Sequence, residues 1–138
     1  MCSISNQDSL LNQFLSNVTI SNSVISSIEM IEPSFIVTSS LLNISQTSIS
    51  MISNPNSYDL IFITLDSSLI INNLVFEDSM SDLLNALNTD IQINTLMLRS
   101  ISRSSNLLKV STSQSVNISN YQAQNATTNV STQILITH

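Results

Sequence analysis

One five-residue pattern recurs along the chain at nearly constant intervals. Val18-Thr19-Ile20-Ser21-Asn22, Leu42-Asn43-Ile44-Ser45-Gln46, Leu69-Ile70-Ile71-Asn72-Asn73, Ile91-Gln92-Ile93-Asn94-Thr95 and Val116-Asn117-Ile118-Ser119-Asn120 each read apolar, variable, Ile, Ser or Asn, then mostly an amide. The anchors Ile20, Ile44, Ile71, Ile93 and Ile118 are 24, 27, 22 and 25 residues apart. Such a period marks a stack of similar units, each burying its apolar face only against its neighbours. Within each unit apolar and polar residues alternate, so the unit is a short strand with Ile20 and its equivalents facing one way and Thr19 and Ser21 the other. Stacking then aligns the five anchors as one inward core ladder.

The similarity continues beyond the strand. Five residues after each anchor stand Ile25, Ile49, Phe76, Leu98 and Ala123. Eight residues after it stand Ile28, Ile52, Ser79, Ile101 and Ala126, with Met80 beside the serine. A second apolar patch lies between cores: Phe35 to Val37, Leu60 to Ile63, Leu83 to Leu87, Leu107 to Val110 and Ile134 to Ile136. Asp8 to Leu15 fits a short amphipathic helix, yet it matches Asp82 to Asn88 at an offset of 73, three periods, and reads as a partial coil. Asn22, Gln46, Asn73, Thr95 and Asn120 fall where the strands end and form a polar ladder, since stacked amides hydrogen-bond along such a stack. Asn also tolerates left-handed backbone, and this chain has no Gly to supply it.

Segments such as Val18-Thr19-Ile20-Ser21-Asn22-Ser23-Val24-Ile25 resemble the right-handed parallel β-helix repeat proteins, the pectin-lyase-like architecture. They are most similar to the Asn-, Ser- and Ile-rich repeats of large protist surface proteins, over about Leu10 to Ile136. The resemblance implies an all-β fold, a right-handed parallel β-helix (β-solenoid) of about five coils of 22–27 residues each. Residues 1–138 then form a single β-solenoid domain, expected to be a segment of a longer repeat protein. Leucine-rich repeats share the period. The 27-residue spacing and the Ile-x-Asn cores fit a β-helix better.

Composition narrows the function. Ser, Asn, Thr and Gln supply 65 of 138 residues, whereas charged residues are 9% and the net charge is −6. Three basic residues make a poor nucleic-acid binder. Without Gly there is no Walker loop, dinucleotide fingerprint or EF-hand turn. The longest apolar run, Leu60 to Ile63, is far short of the roughly 20 residues of a helical membrane span. Met1 to Leu15 lacks the basic start of a signal peptide, so the chain is expected to be cytosolic or else a piece of a longer secreted protein, and an extracellular or cell-surface location follows only in the second case. The one cysteine, Cys2, reads as an inert terminal thiol, and the one histidine, His138, as a fraying end, which leaves the serines without an internal base.

Enzymes of the resembled fold work on the outer face of one parallel sheet. Here the outward columns are Thr19, Asn43, Ile70, Gln92, Asn117 and Ser21, Ser45, Asn72, Asn94, Ser119, with no acid or base among them. The chain is therefore expected not to be an enzyme and to need no cofactor. Glu77, Asp78 and Asp82 form the densest acidic cluster and read as a solvated turn rather than a calcium site, with Arg99, Arg103 and Lys109 in the next coil as pairing partners. Sequons begin at Asn17, Asn43, Asn117, Asn125 and Asn129, no more than composition yields by chance. Asn43 and Asn117 are expected to face solvent. The expected function is structural or adhesive, with partners supplied by end-to-end self-association or by flanking coils of a parent protein. A carbohydrate-binding module using the Ser/Asn face, and more remotely a leucine-rich-repeat interaction domain, are the alternatives.

Overall fold

The computed structural model describes residues 4–5, 11–30, 33–53, 58–103, 107–112, 115–125, 127–128 and 134–137. Among them every regular element is a strand and every strand pairing is parallel. The chain winds as a β-solenoid of about four turns. Five rungs of the first face are joined by those four turns, which is how five anchors fit a count of four. Leucine-rich repeats set one strand against a helical or 3₁₀ side. Here strands form three faces of the coil.

The first face carries Asn17–Ser21, the opening half of Leu41–Ser53, the opening half of Ser67–Glu77, Thr89–Ile93 and Val116–Ile118. The register sets Ile20 beside Ile44, Ile44 beside Ile71, Ile71 beside Ile93 and Ile93 beside Ile118. The second face stacks Val24–Glu29, the closing halves of the two long strands, Leu96–Arg99 and Tyr121–Gln124, with Ile25, Ile49, Phe76, Leu98 and Ala123 in line. Both belong to one nine-stranded sheet, because the long strands turn the corner without a break. The third face is a separate six-stranded sheet of Leu11–Phe14, Phe35–Thr38, Asp59–Thr64, Asp82–Leu87, Leu108–Ser111 and Ile134–Thr137. The second apolar patch of each repeat thus becomes this face. Leu11–Phe14 is a strand beside Phe35–Thr38, not a helical cap, and Asp8 to Leu10 lie outside the described residues.

Three rows of left-handed residues make the corners. Asn22, Gln46, Asn73 and Asn120 have φ of 48–58° at the first. Ser27, Met51, Asp78, Ser100 and Asn125 make a second row, and Leu15, Ser39, Asp66, Asn88 and Thr112 a third. Thr95 shares the first row's register but not its positive φ. In the left-handed region Cβ crowds the following carbonyl, at a cost of about 1–2 kcal/mol per residue, least for Asn and Asp. A hydroxyl next in sequence offsets that cost at many corners. Ser23, Thr47, Ser40, Ser79 and Thr89 each follow a left-handed residue and donate to the carbonyl two residues back, at 2.7–3.0 Å. Ser40 and Ser67 also accept the backbone N–H of Ser16 and Ser40 from the adjoining coil, at 3.1 and 3.3 Å.

The interior is a continuous apolar column in which Ile44, Ile71, Ile93, Phe76, Leu98, Ile61 and Leu84 are fully buried. At the eighth position after the anchor the inward residue is Ser79, which donates to Glu77 O and accepts Ile52 N, while Met80 faces solvent. One kind of substitution has opposite effects at two places. Ile71→Asn should cost about 2–5 kcal/mol, because it buries an unpartnered amide beside a void. Met51→Asn should gain about 0.5–1 kcal/mol, since Met51 is exposed and left-handed and Asn adopts that backbone more cheaply. Urea unfolding midpoints check both signs.

Candidate functional site

Two surfaces carry polar side chains in a fixed array. The first is the outside of the first face. Register places Thr19, Asn43, Ile70, Gln92 and Asn117 in one outward column, with Ser21, Ser45 and Asn72 in the next. Asn94 Nδ2 donates to Asn72 Oδ1, Gln92 Nε2 donates to Asn94 Oδ1 at 3.3 Å, and Ser119 Oγ donates to Asn94 O at 3.1 Å. Asn72 and Asn94 therefore bridge adjoining coils on this face. At the first corner Asn22, Gln46, Asn73 and Asn120 stack in register and face solvent, with no side-chain hydrogen bond from one to the next among the described residues; Thr95 donates to Asn94 O at 2.8 Å.

Two outward columns did not exhaust the face. Asn17, Leu41, Ser68 and Asp90 form a third, so the face does carry one acid, and Asp90 is exposed. The strands start earlier than the repeated five-residue core, which hid this column from the sequence reading. Ser68, Ile70, Asp90, Gln92, Ser115 and Asn117 line a shallow groove of about 270 Å³. A neighbouring one of about 200 Å³ lies between Asp66, Asn88 and Asp90, where Asn88 Nδ2 donates to Asp66 Oδ1 at 2.6 Å.

The second surface is the outside of the third face. Lys109 Nζ donates to Asp82 Oδ2 at 2.8 Å and to Asp59 Oδ1 at 3.1 Å, and Asn85 Nδ2 donates to Asp59 Oδ2 at 3.0 Å. The cluster ties three successive strands of the six-stranded sheet. The Asp82 side chain is fully buried, that of Asp59 nearly so, and that of Lys109 is 29% exposed. Burial disfavours the Lys109 ammonium, but the Asp82 hydrogen bond and the attraction of Asp59 outweigh it and hold the lysine above its usual range.

The acidic cluster is divided by the fold, and Asp82 is not part of a solvated turn. Asp82 is buried against Lys109, Glu77 approaches Arg99 at 3.8 Å and Asp78 is an exposed corner. Among the described residues no three His, Cys, Asp or Glu side chains are grouped to hold a metal ion. Of the sequons, Asn17, Asn117 and Asn125 are exposed. Asn43 is half-buried, in register between Thr19 and Ile70, and its Oδ1 is buried without a hydrogen-bond partner among the described residues. Asn129, Cys2 and His138 lie outside the described residues, as does the side chain of Arg103.

Fold and faces together define a parallel β-solenoid with two polar surfaces on separate sheets. No protein-family model, curated protein or solved structure matches the chain. Among the described residues no helix is long and apolar enough to cross a membrane.

The two cross-coil cation pairs should differ sharply in worth. Lys109→Met strands the buried Asp82 carboxylate and should cost about 3 kcal/mol. Arg99→Met breaks an exposed pair and should cost about 0.5 kcal/mol or less. Denaturant midpoints at low and high salt check the ranking, with only the Arg99 contribution fading as salt rises.

Proposed function

We propose that the chain is a non-catalytic structural or adhesive module of a pectin-lyase-like parallel β-helix protein, similar to the Asn-, Ser- and Ile-rich protist surface proteins. In this reading it is displayed outside the cell and stacks through its end coils. The observation that supports it most is the state of the core ladder at its ends. Ile44, Ile71 and Ile93 are fully buried, while Ile20 and Ile118, the outermost members, stay half-covered, as do Val18 and Val116. A further coil on either end would cover this apolar surface and pair the backbone groups of the edge strands. The partner is a second copy or the flanking coils of a parent protein. Contacts of this head-to-tail kind do not close on themselves and grow filaments. The net charge of −6 speaks against a nucleic-acid partner.

The groove beside Asp90 favours a second reading, a carbohydrate-binding module. Gln92, Asn117 and Asp90 offer hydrogen-bonding groups around the apolar Ile70, the mix that orients a small polar ligand. Among the described residues no aromatic ring lines that groove, and so none supplies the stacking platform common in sugar sites.

Sedimentation over a range of concentrations tests the first reading. Apparent mass should rise with concentration, and Leu135→Lys in the edge strand Ile134–Thr137 should return the chain to monomer. A monomer at every concentration overturns stacking. Binding to neutral glycans that is lost in Gln92→Ala supports the second reading instead, and glycan cleavage lost in Asp90→Asn overturns the non-catalytic one.

A further inference from the structure

Three side chains of the third face hold the parts of a covalent reaction. Lys109 and Asn85 are register partners on adjacent parallel strands, and each stands between buried inward residues: Leu108 and Val110 for the lysine, Leu84 and Ala86 for the amide. Both therefore rise from the same outer surface, on strands about 4.8 Å apart. Asp59, from the next strand, bridges them, its Oδ1 accepting from Lys109 Nζ at 3.1 Å and its Oδ2 from Asn85 Nδ2 at 3.0 Å. An amine, a carboxamide and one carboxylate touching both are a nucleophile, an acyl donor and a proton carrier already in place. Holding them in a stacked sheet removes the entropy of bringing them together.

We propose that the folded chain cross-links itself by an isopeptide bond between Lys109 and Asn85, with Asp59 as the catalytic proton carrier. Asp59 takes a proton from the Lys109 ammonium, and the freed Nζ electron pair attacks Asn85 Cγ. Asp59 returns the proton to the departing nitrogen and relays the second Nζ proton as the intermediate collapses. The Nζ–Cγ bond forms, the Cγ–Nδ2 bond breaks, and ammonia leaves as ammonium. A lysine ammonium and a carboxamide become a secondary amide and an ammonium ion, with no oxidant, reductant or cofactor. Escape of ammonium into solvent draws the reaction forward. Asp82 also touches Nζ, but its carboxylate is a far weaker electrophile than a carboxamide.

Among the described residues the charged groups facing Lys109 are Asp59 and Asp82, and the strand on its other side brings Leu135 into register. Both carboxylates favour the ammonium, so free amine is scarce at neutral pH and the reaction accelerates as the pH rises. The product joins two successive coils covalently, whatever the surface role of the chain.

Intact mass of the purified full chain, before and after mildly alkaline incubation, is the test. The expected result is a mass lower by one ammonia and a digest peptide joining the segments that hold Asn85 and Lys109. Lys109→Arg keeps the cation and its two carboxylate partners, so it should fold, by circular dichroism, and lose the mass shift completely. Asp59→Asn should slow the shift by at least tenfold. Succinimide formation at any Asn also releases ammonia, but it does not need Lys109. The proposal is overturned by an unchanged mass in folded protein, by an ammonia loss that persists in Lys109→Arg, or by a loss of water in its place.

Discussion

Everything in this coil depends on turning a strand through a corner without glycine. The corners are made by residues held in the left-handed region, and the next residue is often a hydroxyl that closes back on the carbonyl two positions earlier. That carbonyl lies where the chain changes direction, close to the core, and at Thr38 and Ser45 it also accepts a backbone N–H from the preceding coil, so the hydroxyl adds a second bond at the bend. Where the hydroxyl also accepts an N–H from the adjoining coil, as Ser40 and Ser79 do, the corner becomes part of the stack. The abundance of serine is thus partly structural. Its small side chain fits under a turn, and its hydroxyl both donates and accepts.

Once the corners hold, the core follows from repetition. Each rung sets an isoleucine or leucine on the equivalent of the rung before, so burial is complete in the middle and partial at the ends. Stability in such a stack is nearly a sum of neighbour interfaces, which makes end coils the weakest and the most receptive to a partner. The proposed stacking role rests on this gradient of burial, and a ligand role rests on the shallow groove near Asp90. The two occupy different parts of the surface.

Charge is scarce, and its placement is correspondingly informative. Lys109 and Asp59 are 50 residues apart in sequence and in contact in space, with Asp82 and Asn85 between them. A buried carboxylate pair held by one lysine contributes little net stability over an apolar packing of the same volume, but removing the lysine alone is costly. The register seen here, with Lys109 beside Asn85 and Asp59 beside Asp82, is the one that brings these residues together. The proposed isopeptide chemistry would make that register permanent.

The repeat, the parallel stacking and the inward or outward sense of each residue in the five cores were legible in the sequence, because alternation along a strand is a local property with period two. The second apolar patch was visible too, though not that it forms a separate sheet. The third outward column with Asp90 was missed because the paired strands extend beyond the repeated core, and strand length is set by pairing to the neighbouring coil. Amide bridges fell at Asn72 and Asn94 instead of the first corner row, whose exposed side chains do not reach one another, whereas at the third corner Asn88 does reach Asp66. The Ser/Thr that follow left-handed residues were present at matching offsets but need the corner geometry to be read as caps. The burial of Asp82 and its union with Lys109, Asp59 and Asn85 were decided by the tertiary structure alone: coil lengths of 22 to 27 residues vary the connections, and only the winding of those connections determines which distant side chains meet on one face.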